Sequence, residues 1–399
     1  MKKVLMLHGE NTYNYGTFMM LINYIYYTNK YSKVTNEYHV CLNSDEDYLR
    51  LKKELPSDIK IIRFEYEKEN KASNIFKKIV GLKYKYFDQI RQIKKEKFNK
   101  VVVLGGDDLS EYYKKWLVIT DLLILIKLSK IVKLELIGQT VGPFYSWRKK
   151  IAKKLFNNSR LVLRDKLCAD YLEKELFFNN FKVLNDLAFL KLPFEEKRLN
   201  ILNKYTLSNL KYISIIPSGL YKHYSGSWEN YIKNWINITK TLLETKELND
   251  CVFVFFGHVL KPLKCDDRLV IKEIEKIIDS SRCKFILDDM LASEARTILK
   301  NGYFNITGRM HPAISTLSSN KLALSLSYSV KYKGIIGGQI GLPELVIERE
   351  DNWDNFKINE KINKKILSLV VNDRIKNFNI NSKLEKIKED IIKYLFKNL

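Results

Sequence analysis

Val101-Val102-Val103-Leu104-Gly105-Gly106-Asp107-Asp108 is the stretch that decides the fold. Four apolar residues, three of them β-branched, run without a polar break into two glycines and two carboxylates. Such a run reads as a strand buried on both faces, and strands of that kind belong to parallel sheets. The glycines after it let backbone N–H groups approach a ligand closely, although a plain structural turn explains the pair equally well.

The same phrase recurs on both sides of it. Residues 4–7 form an apolar run closed by Gly9, followed by the loop 11–16 and a helical segment over 17–27. A short strand at 60–64 precedes a long helical stretch over 72–97. Downstream come a helix at 112–128, a strand at 134–137, the loop 138–144, a helix at 148–157 and a strand at 161–163 that ends in Arg164-Asp165. The most apolar stretch, 116–126, carries Asp121 and stops at Lys127, which is too short to span a bilayer, so it reads as a buried helix. A second series follows the strand-poor region 191–209. Its strands are 212–216, 252–256, 285–287, 303–306 and 322–326, and its helices are 228–243, 271–278, 293–299 (capped near Ala292 or Ser293) and 313–319. Strand and helix alternating throughout predict an α/β protein with a parallel sheet in each half: two doubly wound, Rossmann-like domains facing a cleft, plus Lys-rich C-terminal helices. The expected domains are 1–198, 199–350 and 351–399. Ligands in such folds sit beyond the carboxyl ends of the strands.

Composition excludes whole classes. Of 399 residues 46% are apolar, with only 7 Pro and 16 Gly, so neither a disordered nor a collagenous chain fits. The net charge is +23, but only 13 of the 69 basic residues are Arg. Readers of nucleic acid concentrate Arg for its bidentate fork, so no nucleic-acid partner is expected. Diffuse Lys suits a solvated surface, an anionic membrane face or an anionic substrate. Five Cys without a CxxC, none near a pairing His, predict neither a disulfide framework nor a zinc site; no metal is expected. The apolar start of the chain is ended by His8-Gly9-Glu10, too early for a signal peptide, and this predicts a cytoplasmic protein, peripheral at most to the inner face of a membrane.

The residues that could carry chemistry lie in loops after strands. Neither GxGxxG, GxxxxGK[ST] nor GxSxG is present. The sharpest group is Thr307-Gly308-Arg309-Met310-His311-Pro312-Ala313, which joins a strand to a helix and so brings Arg309 and His311 to a helix N-terminus, a natural anion site. Arg offers a fixed fork for phosphate or carboxylate, and His exchanges a proton near neutral pH. A surface Arg and a His capping backbone groups is the plain alternative. Lys331, in Tyr328-Ser329-Val330-Lys331, reaches the same rim. Arg164 on its own context favours a salt-bridged structural role. His258 with Asp266-Asp267 lacks the second His that a metal set needs, His8 and His223 could line the cleft, and His39 reads as structural.

The order of these loops resembles the polysaccharide pyruvyl transferases over about residues 3–345. The resemblance is carried by Asn14-Tyr15-Gly16, Gly105-Gly106, Gly138-Gln139-Thr140-Val141-Gly142-Pro143-Phe144, Leu163-Arg164-Asp165, Asp186-Leu187-Ala188-Phe189, Gly257-His258 with Asp267, Gly308-Arg309-Met310-His311, Tyr328 with Lys331, and Gly341-Leu342. The chain departs from the family where Thr17 follows Gly16, where Asp107 ends a shortened glycine run, and where Cys168 replaces a Ser. The resemblance implies a fold similar to type B glycosyltransferases, with the acceptor on the first domain and the donor on the second. It implies transfer of a pyruvyl group from phosphoenolpyruvate onto two hydroxyls of a sugar, in a cell-surface glycan or its lipid-linked precursor for capsule, exopolysaccharide or cell wall, giving a cyclic ketal and phosphate. In that chemistry His311 is the general acid. Arg309, Lys331 and Arg164 bind the donor's charges, and Gly105, Gly106, Asn14 and Gly16 belong to the substrate-binding loops. No cofactor is called for beyond phosphoenolpyruvate as donor. Two other readings stay open, a nucleotide-sugar glycosyltransferase of the same architecture and a non-catalytic anion-binding protein.

Overall fold

A computed structural model describes residues 1–65, 89–111, 117–348 and 353–397. The described residues form one seven-stranded and one six-stranded sheet, and every strand pairing in both is parallel. The first runs β3-β2-β1-β4-β5-β6-β7. Its strands are β1 (Lys2–Leu7), β2 (Asn36–Cys41), β3 (Lys60–Phe64), β4 (Lys100–Leu104), β5 (Lys133–Gln139), β6 (Arg160–Leu163) and β7 (Phe181–Val183). The second runs β10-β9-β8-β11-β12-β13, with β8 (Tyr212–Ile216), β9 (Val252–Phe256), β10 (Cys283–Ile286), β11 (Phe304–Thr307), β12 (Ala323–Leu326) and β13 (Val346–Ile347). Two doubly wound α/β sheets are the expected fold class.

At β2 the sequence and the structure part because polar residues are buried. β2 reads Asn-Glu-Tyr-His-Val-Cys and shows no apolar run, yet all six residues are buried. Glu37 and His39 make this tolerable by pairing with each other at 2.7 Å. The helix Lys166–Leu176 was equally hidden; its start is Asp165, whose side chain accepts from the Cys168 N–H at 2.9 Å and so caps it. The apolar stretch 116–126 is only partly a buried helix: Val118–Leu128 is helical, but Leu117 and Leu123 are 54% and 46% exposed. Most of the helical stretch 72–97 and the start of 112–128 lie outside the described residues. Among the described residues no helix is long and apolar enough to cross a membrane.

The chain falls into two compact units. Met1–Asn11, Tyr24–Asp186 and Ile391–Leu399 form the first; Thr12–Asn23 and Leu187–Asp390 form the second. The sequence reading changes domain at 198/199 and sets 351–399 apart, whereas the units change over at Asp186/Leu187 and the helices up to Asp390 belong to the second. Local bonding accounts for the difference. Asn23 Nδ2 donates to the carbonyls of Leu187 and Leu190 at 2.9 and 3.1 Å, and Arg296 Nη1 donates to those of Ala188 and Leu190 at 2.8 and 2.9 Å. Glu195 completes the tie by pairing with Lys300 and Arg296 on the helix Ala292–Asn301.

Candidate anion site at the carboxyl end of the second sheet

In the second sheet the strand order reverses between β8 and β11, and an open α/β sheet holds its ligand beyond such a reversal. Gly308 continues β11 by donating its N–H to the Ile216 carbonyl at 2.9 Å. Its own carbonyl lies 2.6 Å from the Tyr224 hydroxyl and 2.7 Å from that of Tyr332. A Cβ on Gly308 would come within 3.0 Å of the Tyr224 oxygen and 3.2 Å of Ser218, so two strand ends close on each other here with no room for a side chain.

Arg309 follows in extended conformation as the N-cap of the helix Met310–Leu317. Its guanidinium turns back: Nε and Nη2 donate to Asp267 Oδ1 at 3.0 and 2.7 Å, and Nη2 also to the Cys265 carbonyl at 2.8 Å. Burial opposes the charge, but Asp267 with the Tyr328 and Tyr332 hydroxyls more than offsets it, so Arg309 is held protonated more firmly than a free guanidinium. Nη1 makes no hydrogen bond within the described residues and leaves one edge of the fork for a ligand. Asp267 is fully committed. Oδ1 also accepts from the Gly219 N–H (2.7 Å), and Oδ2 accepts from the N–H groups of His258 and Val259 (2.9 Å each). A carboxylate so engaged is a scaffold, not a metal ligand. Among the described residues no group of three or more His, Cys, Asp or Glu is placed to hold a metal ion.

His311 lies in the first turn of Met310–Leu317, where the sequence reading had a loop. Its ring packs against the backbone of Gly16: a Cβ there would sit 2.1 Å from Nδ1 and 2.3 Å from Cγ. Gly16 is itself in the first turn of the helix Tyr15–Tyr31, so two helix starts meet at the imidazole. The loop before Gly16 is fixed by pairing with the end of β9. Asn14 bridges Val259, the Tyr15 N–H donates to the His258 carbonyl at 3.1 Å, and Leu260 N–H to the Tyr13 carbonyl at 2.9 Å. Asn14 begins the helix, its carbonyl accepting from the Phe18 N–H at 3.0 Å.

Behind this pair stands His258, 1% exposed, its ring edge-on to Tyr15 at 5.4 Å. Its Nε2 has no hydrogen-bond partner among the described residues. Burial, then the neighbouring His311 and Arg309, push its pKa well below the ordinary imidazole value of 6.5, so it is neutral at physiological pH. Lys331 reaches the rim through Tyr328, donating to the phenol oxygen at 2.9 Å. The Tyr328 ring is braced by His223, Tyr224 and Tyr332 at 5.4–5.6 Å. Asp267, His258 and Tyr328 are thus the supporting residues that the sequence reading left without roles of their own. Their signals were position, each following a strand or opening a helix, and membership of the motifs Gly257-His258 with Asp267 and Tyr328 with Lys331.

The other three expected site residues belong to the first unit: Gly105 and Gly106 follow β4, beside the reversal of strand order between β1 and β4, and Arg164 follows β6. A Cβ at Gly105 would fall 1.7 Å from the Gly138 carbonyl oxygen, so this glycine lets β4 and β5 close on each other. Gly106 accepts from the Thr140 N–H at 2.9 Å. Arg164 is 2% exposed, donating through Nε to Thr140 Oγ1 (2.8 Å) and through Nη1 to Asp186 (2.9 Å). That is the salt-bridged placement its local context favours. Nearby, His8 ends β1 with φ 65° and sets Nδ1 3.8 Å from Asp108.

Two doubly wound parallel sheets with flanking helices place the chain in the fold class of type B glycosyltransferases and their relatives. The sequence pattern of the polysaccharide pyruvyl transferases matches residues 26–330, and the chain belongs to that family of transferases. The matched span contains Gly105, Gly106, Arg164, Arg309 and His311, but not Asn14, Gly16 or Lys331. A search of curated proteins returns no match. Among solved structures, MnaA from S. aureus in its complex with UDP is similar with TM-score 0.57 and 14% identity, over 99% of this chain and 97% of that one. The UDP-GlcNAc 2-epimerase of Methanocaldococcus jannaschii is similar with TM-score 0.57 and 14% identity, over 98% and 99%. The same enzyme from Neisseria meningitidis, bound to UDP-GlcNAc, gives 0.56 and 12%, over 98% and 100%. At these identities the likeness is one of fold alone.

Proposed function

We propose that the chain transfers the pyruvyl group of phosphoenolpyruvate onto two hydroxyls of a sugar, in a cell-surface glycan or its lipid-linked precursor met at the cytoplasmic face of the membrane. The observation that supports this most is the setting of His311, in a helix's first turn and backed by Gly16, two residues after a buried Arg309 whose Nη1 makes no hydrogen bond among the described residues. Phosphoenolpyruvate brings a phosphate and a carboxylate. Arg309 Nη1, Lys331 and the N–H groups of the two helix starts supply donors and positive potential for both. Protonation of C3 of the enol by His311 makes C2 electrophilic, and the first sugar hydroxyl adds there. That hydroxyl's proton restores His311. The C2–O bond to phosphate then breaks, the second hydroxyl closes the ketal, and its proton leaves with phosphate. Cationic side chains are assigned the charge neutralisation, with no cofactor besides the donor. Gly105 and Gly106 are assigned to the acceptor loop.

The test is product analysis. Enzyme, phosphoenolpyruvate and a panel of glycans should yield inorganic phosphate and a product heavier by pyruvate less water in equal amounts. His311→Ala should lose this turnover while still binding phosphoenolpyruvate. Because Arg309→Ala also strips Asp267 of its counterion, Arg309→Lys is the cleaner probe: folded protein with weakened donor binding. Transfer from a nucleotide sugar, with no phosphate released from phosphoenolpyruvate, would replace this reading with a glycosyltransferase.

A further inference from the structure

In the first unit, the helices Val118–Leu128 and Arg148–Asn157 pack side by side. Both follow strands of a parallel sheet, so both start at its carboxyl rim. Large apolar side chains stand out in solvent on this pair. Leu117, the N-cap of the first helix, is 54% exposed and Leu123, midway along it, 46%, and Tyr145 and Trp147 are 55% and 57% exposed on the turn that opens the second. That turn is held in place and not left to fold inward. Glu111 accepts from the Tyr145 N–H and from Arg148 Nε, each at 2.7 Å, and Ser146 between the two aromatics has φ 52°, a left-handed conformation. The next turns of the basic helix carry Lys150 and Lys154, both exposed and neither in an ion pair among the described residues.

We propose that this surface docks on an anionic lipid bilayer, with Trp147 and Tyr145 entering the headgroup layer. Amphipathic aromatics prefer that layer, and unpaired lysines beside them are drawn by anionic headgroups. The net charge of +23 adds to the attraction. A second copy of the chain is the poorer occupant, because a two-fold interface sets each patch against itself and would oppose these lysines to one another. The proposal deepens the membrane clause of the proposed function and rests for its occupant on that reading. Its evidence lies wholly in the first unit, so vesicle binding and pyruvyl transfer can fail separately.

Flotation of the full chain with vesicles of phosphatidylcholine, and with vesicles containing about a third phosphatidylglycerol, tests it. Binding should require the anionic lipid and weaken with salt. Lys150→Gln with Lys154→Gln should weaken it by about thirtyfold, each lysine contributing roughly fivefold. Tyr145→Ser with Trp147→Ser should weaken it to a similar degree, and both variants should keep the thermal midpoint and the turnover of a water-soluble acceptor. Equal binding to both vesicles, or undiminished binding by both variants, would overturn the proposal. So would a change of oligomeric state in the serine variant with vesicle binding intact, which would give the patch to a second copy.

Discussion

Adding one methyl group at Gly16 probes the seat of His311 without touching its chemistry. In Gly16→Ala the new Cβ would lie 2.1 Å from His311 Nδ1 and 2.7 Å from its Cβ, against the 3.4 Å at which ordinary contact begins. The ring must therefore retreat by about 1.3 Å, since Gly16 is fixed by the helix that starts at Tyr15 and by the pairing of Asn14 with Val259. A displacement of about 1 Å in a catalytic group is worth roughly 10²-fold in rate, and overpacking a filled site costs about 1–3 kcal/mol. Single-turnover phosphate release should fall about a hundredfold, while phosphoenolpyruvate affinity, which the proposal assigns to Arg309 and Lys331, should change only a few-fold. Combining Gly16→Ala with His311→Ala should add almost nothing to the loss in rate, because both act through one imidazole. Native turnover in Gly16→Ala, or fully additive losses in the double variant, would show that the proton does not come from His311 in this seat.

Three further outcomes follow from the same geometry. Arg164→Ala strips the buried Asp186 of its counterion and should lower the stability of the first unit by about 3–5 kcal/mol in denaturant melts; a stable variant that has lost donor affinity would instead make Arg164 a ligand. His258 resists protonation in the folded chain while the unfolded chain takes up a proton below pH 6.5, so lowering the pH through that value removes stability at up to about 1.4 kcal/mol per pH unit. His258→Gln should flatten that limb of the pH–stability curve, and an unchanged slope would mean that another group sets it. Lys331→Met should raise KM for phosphoenolpyruvate by about ten- to a hundredfold, the worth of a charge-assisted hydrogen bond, with kcat little altered; a drop in kcat at constant KM would move Lys331 from binding to the chemical step.

What the sequence disclosed and what it hid divide along physical lines. The strands Tyr212–Ile216 and Val252–Phe256 were legible because burial on both faces demands an unbroken apolar run or nearly so. β2 was not, because its buried Glu37 bonds His39 two residues on and pairs with Lys60 of the neighbouring strand, contacts that no local pattern reports. Arg309 and His311 stood out because they fall where a strand gives way to a helix, and a helix N-terminus is favourable to anions. Their supports could not be read the same way. Asp267 is 42 residues from Arg309 in the chain and looks from the sequence like half of an Asp pair. That Gly16 is a glycine on account of His311, 295 positions away, is a fact of packing, and composition carries no trace of it.

The central claim is that the site around Arg309 and His311 takes phosphoenolpyruvate, and a calorimetric titration needs no acceptor to test it. The account predicts saturable heat with phosphoenolpyruvate for the native chain and for His311→Ala, a much weakened response in Arg309→Lys, and none of comparable affinity with nucleotide sugars. Saturation by a nucleotide sugar, with no heat from phosphoenolpyruvate, would leave the fold standing and contradict the reaction.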